Sequence, residues 1–386
     1  MNIVFLSPHF PPNYYRFCIR LKELGVTVLA VADESYERLR PELRFALTDY
    51  HQAHNMEDYD QLLRACGYFT HRYGKIDRIE SLNEHWLASE ARLRTDFNVF
   101  GIHYKDIARI KRKSEMKKVF QSAGIPVARG GLIPTLESAK RLIDEVGYPV
   151  VVKPDTGVGA AKTFRLNDDT DLARFFSDKP PVDYFLEEFV QGTICSFDGL
   201  TDREGHPVFF TSHVYNQGVM EAVNDDLHVS FYSLREIPAD LQAAGLRTLR
   251  AFDVRERFFH FEFFRTADDR IIALEVNMRP PGGFTLDMFN YANDIDIYAQ
   301  WANVIVHNRF TARYDRKYHC AFISRKRGKP YVHPHADVLR QLGDLVCHHG
   351  AIDPVFRVAM GDYAYLVRSG ELARIREAIR YIQAMA

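Results

Sequence analysis

A chain of 386 residues, 46% hydrophobic and 26% charged, is long enough for two or three packed domains and has the composition of an ordinary globular protein rather than a disordered one. Its formal net charge of −1 gives no electrostatic case for nucleic acid or a membrane surface as partner. The five cysteines (Cys18, Cys66, Cys195, Cys320 and Cys347) are odd in number and far apart, so neither a zinc ribbon nor a disulfide framework follows.

The opening MNIVFLS predicts a buried strand, with an apolar run, Ile3 to Leu6, too short for a signal peptide. No apolar stretch of about 18 residues occurs elsewhere, and a cytoplasmic protein is expected. A helix from Arg16 to Leu24, ended by Gly25, and a second strand in VTVLAVAD complete a βαβ opening of an open α/β sheet. The loop between carries Pro8, Pro11 and Pro12 instead of a glycine-rich turn, which disfavours a dinucleotide site there. Ser7, His9, Asn13 and Tyr14 are candidate ligand contacts at that strand end, with a rigid proline turn as the equal alternative. A short strand at Arg78–Ser81 leads into a helix expected to contain Glu84, Ala88 and Leu93. Glu84 then either meets a ligand at the strand end or complements the helix dipole.

From Lys105 to Lys118 the chain is strongly basic, KDIARIKRKSEMKK. A solvated helix face accounts for most of these lysines, and phosphate binding by one of them is the sharper reading. Val150 to Val152 predicts a strand that delivers Lys153 to its end, followed by Thr156, Gly157, Gly159 and two alanines. The backbone amides of such a loop can close over phosphates, although it is not a P-loop, because no Gly-Lys-Ser/Thr follows. VDYFLEEFVQGTICSFDGLTD reads as strand, connector, strand, and HPVFFTSHVY as one more strand. Helices are expected near Ala239–Ala251 and Asp294–Asn308, then strands around Ala321–Arg325 and Ala364–Val367, and a final helix from Glu371.

Most of the chemistry lies in FHFEFFRTADDRIIALEVNMRPPGGF, Phe259 to Phe284. If this hairpin folds symmetrically about Asp268-Asp269, Glu262 lies opposite Glu275 with Cβ atoms roughly 4.5–5.5 Å apart. Alternation puts Glu275, Asn277 and Arg279 on one face and Leu274, Val276 and Met278 on the other. Facing carboxylates repel, and they make sense if a hard cation such as Mg²⁺ sits between them with substrate phosphates. An acidic, solvated sheet face is the plain alternative. Arg279 suits a phosphoryl oxygen or a carboxylate, and Pro280-Pro281-Gly282-Gly283 allows close backbone approach to a ligand.

In this order the pieces resemble the ATP-grasp superfamily over nearly the whole chain: a lysine ahead of AGIP, then PVVVKP, a small-residue loop, EEFVQG and the paired acids ending in EVNMR. The resemblance implies an N-terminal open α/β domain over residues 1–105 and an ATP-grasp domain over 106–310. The latter divides into a small subdomain at about 112–188 and a large one at about 189–310, and a C-terminal α+β lobe covers 311–386. It implies that Lys113 and Lys153 hold ATP phosphates under a loop from Thr156 to Lys162, including Gly157 and Gly159. Glu187, Glu188, Phe189 and Val190 match the connector that binds adenine, the last two through backbone groups. Glu262, Glu275 and Asn277 match Mg²⁺ ligands, two ions being expected with Mn²⁺ as a substitute. Arg279 matches the arginine that steadies an acyl phosphate, and it and Lys153 are the expected catalytic residues.

Three departures stand out. Arg112 replaces the usual Asp before the first lysine, Ala160-Ala161 replaces glycines in the loop, and Ile194 stands where an acid normally binds ribose, with Asp198 as its substitute. The implied activity is an ADP-forming ligase that activates a small carboxylate as an acyl phosphate and joins it to an amine such as an amino acid. The alternatives are a carboxylase or purine-pathway enzyme of the same fold and a non-catalytic ATP-binding regulator. Candidate substrate contacts are Glu84, His213, Tyr215, His260, Gly282 and Gly283. Only small-molecule partners are expected besides a second copy in a homodimer.

Overall fold

A computed structural model of the chain describes residues 1–157, 162–216 and 226–386. Its strands form three sheets. In the first, β1 (Asn2–Leu6), β2 (Thr27–Ala32), β3 (Asp49–Gln52) and β4 (Arg78–Glu80) run parallel in the order 3-2-1-4. Ile3 and Phe5 enter one apolar core and Val4 and Leu6 another, so β1 is covered on both faces, as a parallel sheet requires. Strand order reverses between β1 and β4, and open α/β sheets form their ligand crevice outside the strand ends at such a point. The Ser7–Tyr14 loop and Leu82–Glu84 both leave the sheet there, tied by the Tyr14 hydroxyl donating to the Leu82 carbonyl at 2.8 Å.

The helix expected to contain Glu84 begins only at Leu87 and runs to Asp96. Leu82 is left-handed (φ 53°), and the Asn83 side chain accepts from the His85 amide at 2.9 Å, a local turn that holds Glu84 outside the helix.

The second sheet is antiparallel: β5 (Gly130–Leu132), β6 (Val150–Pro154), β7 (Phe164–Leu166) and β8 (Tyr184–Glu188), in the order 5-8-6-7. Val150, Val152 and Leu186 pack against helices Leu136–Val146 and Asp169–Asp178. Strand alternation therefore puts Lys153 and Glu187 on the opposite, helix-free face.

The third sheet has nine strands: β9 (Gly192–Thr201), β10 (Pro207–Thr211), β11 (His213–Tyr215), β12 (Ser230–Ser233), β13 (Phe258–Thr266), β14 (Ile271–Asn277), β15 (His319–Arg325), β16 (Val346–Ala351) and β17 (Tyr363–Ser369). Eight lie in the order 14-13-9-11-12-15-17-16, and β10 pairs with β9. The single strand expected in HPVFFTSHVY is thus two, β10 on the far half of β9 and β11 passing on to β12. The last three strands continue this sheet through β12, with Phe231 opposite Phe322. Strand β16, VCHHGA, and the helix His335–Leu342 before it were not expected, because histidines and a glycine hide the apolar period.

The central hairpin keeps Glu262 opposite Glu275, but by a route that symmetry does not foresee. Thr266 closes on Arg270, so the loop holds three residues with Asp269 in the left-handed region (φ 58°). That turn alone would slip the register by one. A bulge restores it, since Phe263 faces Ala273 while Glu262 faces Glu275, leaving Leu274 as the extra residue. The apolar face therefore carries Ile271 and Ala273, then Val276 and Met278, and Leu274 does not belong to it as alternation implied.

Edge strand β14 is covered rather than open. The Ala273 amide donates to the Pro126 carbonyl at 2.7 Å and the Val276 amide to Met116 Sδ at 3.3 Å, which lays the helix Lys113–Ser122 along the acid-bearing strand. Among the described residues no helix is long and apolar enough to cross a membrane.

Candidate active site

Lys113 opens its helix, and the end of β6 holds that helix start in place. The Lys113 amide donates to the Asp155 carbonyl at 2.8 Å, and the Asp155 carboxylate accepts from the Ser114 amide at 2.8 Å and from Arg112 Nε at 2.8 Å. Arg112, where an acid is usual, thus meets an acid supplied from the other side of the joint. Sequence reasoning passed over Asp155, which ties the two lysine-bearing elements together.

Lys153 and Glu187 are same-face diagonal neighbours on β6 and β8, and their charged ends meet at 2.5 Å. The other Glu187 oxygen lies 2.6 Å from the Lys117 ammonium. All three side chains are buried. Burial alone would raise the Glu187 carboxyl, but the two ammonium groups outweigh it and bring it down to about 2. Lys117 is lowered, by burial first and by Lys153 beside it, although Glu187 opposes this. Two ammonium groups on one carboxylate leave a surplus positive charge, which suits a phosphate. Glu187, expected to face adenine, is instead occupied by both lysines, and this corrects that expectation.

Next along the connector, Glu188 accepts from the Arg129 amide at 2.9 Å and from its guanidinium at 2.6 Å. The Phe189 amide already donates to the Pro149 carbonyl at 3.2 Å, so it is not free for a base. Arg165 lies over the Phe189 ring at 4.3 Å. Thr156 bridges back to Arg112, Gly157 has only Pro154 near its missing Cβ among the described residues, and Lys162 is exposed and left-handed (φ 60°). Gly159, with Ala160 and Ala161, lies outside the described residues.

On the hairpin, His260 pairs with Asn277 and Glu262 with Glu275, so one face presents both carboxylates and the amide in a row that Arg279 extends. Asn277 Nδ2 donates to Glu275 Oε1 at 3.3 Å, and Arg279 Nη2 to Asn277 Oδ1 at 3.3 Å. Among the described residues no group of three or more His, Cys, Asp or Glu side chains is arranged to hold a metal ion by itself. The donor set nevertheless fits Mg²⁺: hard oxygens only, and too few to enclose an ion that keeps positions for phosphate oxygens.

Behind Glu262 runs a buried chain. His260 Nε2 is 2.9 Å from Glu262 Oε1, its Nδ1 is 2.5 Å from Asp198, and the second Asp198 oxygen is 2.7 Å from His213 Nδ1. Burial would lower His260, yet Asp198 and the hydrogen bonds it and Glu262 accept raise it to about 9. Burial likewise pushes Asp198 up, and the two imidazoles bring it down to about 2. Asp198 is fully buried with both oxygens engaged, which removes it as a ribose contact. His213 is fully buried between Asp198 and the Phe289 ring, and His260 uses both ring nitrogens, so neither is a substrate contact. They hold Glu262 in place. Tyr215, half-buried, stacks on Phe231 at 5.0 Å, and its hydroxyl is raised by burial and then by Asp198 and Glu262.

Glu84 is only 6% exposed, and among the described residues its Oε2 has no hydrogen-bond partner. Burial raises its carboxyl, while Arg279 and Lys111 oppose this and Glu275 adds to it. An unsatisfied acid beside Arg279 at the switch point of the first sheet is a candidate for a cationic ligand group. Among the described residues nothing lies within 4 Å of the place a Cβ would take at Gly282, and Gly283 (φ 63°) faces Met360. Asn13 reaches the Gly283 carbonyl at 3.5 Å.

Residues 146–287 match the model of an ATP-grasp domain. The chain is 22% identical over 252 residues to the L-arginine-specific L-amino acid ligase of Bacillus subtilis, covering 61% of this chain and 59% of that one. It is 26% identical over 132 residues to the C-terminal section of the carbamoyl phosphate synthase large chain of Methanopyrus kandleri, covering 33% and 23%. The chain thus spans less than two thirds of either relative. Among solved structures it resembles the L-amino acid ligase from Bacillus licheniformis (TM-score 0.73, 13% identity, 99% of this chain and 96% of that one). An ADP complex of N5-carboxyaminoimidazole ribonucleotide synthetase is similar too (TM-score 0.72, 15% identity, 99% and 95%). At such identities these likenesses concern the fold.

Proposed function

We propose that the chain, whose residues 146–287 match an ATP-grasp domain, is an ATP-grasp protein and an ATP-dependent ligase joining a small carboxylate to an amine, with release of ADP and phosphate. The observation that carries this reading is the row Glu262, Glu275, Asn277, Arg279, with the lysine-bearing helix bonded to the same strand through Met116.

In this reading an oxygen of the substrate carboxylate bonds to the γ-phosphorus of ATP, the bond to the bridging oxygen breaks, and ADP leaves an acyl phosphate behind. The amine nitrogen then bonds to the acyl carbon, loses a proton, and phosphate departs. Lys113 and Lys153 hold the phosphate oxygens, with Lys117 adding to the local positive charge and Thr156, Gly157 and Lys162 bordering the same space. The Phe189 carbonyl and the Val190 amide meet the adenine edge. Arg279 orients the carboxylate and then the acyl phosphate with its planar fork. Glu84 receives the amine in its ammonium form and takes the proton that must leave before the nitrogen can attack, and Tyr215 and Gly282-Gly283 line the substrate space. Glu262, Glu275 and Asn277 would hold magnesium, two ions in this reading with Mn²⁺ as a substitute, which when bound would neutralise charge on the transferring phosphoryl group. The five free thiols fit a reducing, cytoplasmic setting.

The test supplies ATP, Mg²⁺ and pooled amino acids, then measures ADP, phosphate and, by mass spectrometry, a condensed product. Appearance of all three supports the reading. AMP with pyrophosphate would replace it by adenylation, and nucleotide binding without turnover on any pooled acid would replace it by a regulatory role.

A further inference from the structure

Between β16 and β17 the chain leaves the central sheet, from Asp353 to Gly361, closed at its base by the Ile352 amide donating to the Asp362 carbonyl at 2.9 Å. This strap reaches across to two distant parts of the sequence. Phe356 stacks on Phe10, in the loop that follows β1, with ring centroids 6.1 Å apart and planes 22° apart. Met360 fills the place of a side chain at Gly283, where a Cβ would come within 2.4 Å of its Cε. Phe284 lies 5.3 Å from the His348 ring of β16. Phe10, Phe284, Phe356 and Met360 are all only half-buried. They gather where the loop beyond Arg279 meets the switch point of the first sheet, the place to which the ligase reading assigns the substrate.

Glu84, the acid at this switch point, is taken up by the amine in the ligase reading, and the Arg16 and Arg357 side chains bordering the cluster are already engaged. Arg16 meets Asp287 at 2.6 Å, and Arg357 Nε donates to the Ile352 carbonyl at 3.1 Å. His348 is held toward its neutral form by burial, against the pull of Asp287. A charged side chain entering here would lose water without gaining a counter-charge, whereas an apolar one would complete a half-covered aromatic surface.

Resting on the ligase reading, we propose that Phe356 and Met360, with Phe10, form the wall that selects the side chain of the substrate, and that the preferred amino acid is one with a large apolar side chain. The C-terminal strap is then a specificity element, although it lies outside the segment that carries the ATP-grasp motifs.

The test measures kcat/KM from ADP release for alanine, leucine, phenylalanine, arginine and aspartate. The wild type is expected to favour leucine or phenylalanine over arginine and aspartate by about tenfold or more, the scale of apolar-pocket discrimination. Met360→Ala and, independently should that variant not fold, Phe356→Ala are expected to shift the leucine-to-alanine ratio by about tenfold with KM for ATP unchanged, and Met360→Leu to restore it. Preference for a charged side chain, or an unmoved ratio in a folded variant of an active enzyme, overturns the proposal. If no amino acid supports turnover, the ligase reading fails, and the wall is judged by thermal shift with leucine and phenylalanine. Stabilisation of the wild type that both alanine variants lose would retain it, and no stabilisation would overturn it.

Discussion

Glu275 and Glu187 are both acids beside cationic partners, yet the structure gives them opposite energetic signs. Glu275 faces Glu262, so without a bound cation the pair is repulsive. Glu275→Gln is therefore expected to leave the melting temperature of the metal-free protein unchanged or raised. It should lower ATP turnover by roughly two to three orders of magnitude, as loss of a major electrostatic contact does. Thermal melts in chelator and ADP release in Mg²⁺ read the two effects separately. Glu187 is the reverse case, because it neutralises two buried lysines. Its carboxyl falls from 4.5 to about 2 on folding, so its stabilisation is present above pH 4.5 and is lost as pH drops through about 2. Glu187→Gln is expected to melt well below the wild type at pH 7, with the gap narrowing between pH 4.5 and 2. Melts across that range check the sign. The basic run concealed Lys117, but its position four residues after Lys113 places both on one helix face, so an inward Lys113 implies an inward Lys117. His213 and His260 looked like ligand contacts because their partner Asp198 comes from β9, and the β9–β13 register follows from no local signal.

At the scale of the element, the hairpin shows why a correct pairing can rest on an incorrect turn. Symmetry about Asp268-Asp269 predicts Glu262 opposite Glu275, and the structure reaches the same pair through a three-residue loop and a compensating bulge. The apolar pattern holds the trace of this, because buried positions pass from odd (Ile271, Ala273) to even (Val276, Met278) across Leu274. A strand that changes parity must contain an extra residue. Deleting Leu274 is therefore expected to leave Glu262 opposite Glu275 and to retain Mg²⁺-dependent ATP turnover within about tenfold. Deleting Val276 instead turns Asn277 and Arg279 to the apolar face and should abolish turnover by about a hundredfold or more. ADP release from the two deletion variants, compared at saturating Mg²⁺, separates these outcomes. The strands, the connector and the first βαβ unit were legible because period and turn residues are local signals. Strand β16 was not, because its histidines and glycine hide the apolar period, and the split at Ser212 was not, because no glycine or proline turn residue marks the step from pairing with β9 to pairing with β12.

For the whole molecule, what sequence cannot express is how the first sheet is fastened to the central one. Arg257, at the start of β13, reaches Glu90 at 2.7 Å on the helix after β4, while its Nε donates to the Met278 carbonyl at 2.5 Å. Arg94 lies beside the same Glu90 at 2.9 Å and Glu80 at 2.6 Å. Two acids and two guanidinium groups, all buried, therefore balance in charge across the joint between sheets. Removing one member leaves an uncompensated buried charge, so Arg257→Met is expected to cost about 3–5 kcal/mol, measured by denaturant unfolding. Arg257→Met with Glu90→Gln restores neutrality and should recover most of that loss. The recovered protein would still lack the guanidinium that holds the carbonyl just before Arg279. It is therefore expected to fold yet to turn over ATP at least about tenfold more slowly, because small displacements of a positioning group carry costs of that order or larger. Recovery of stability and rate together would mean that Arg257 fastens the two sheets and does nothing for Arg279.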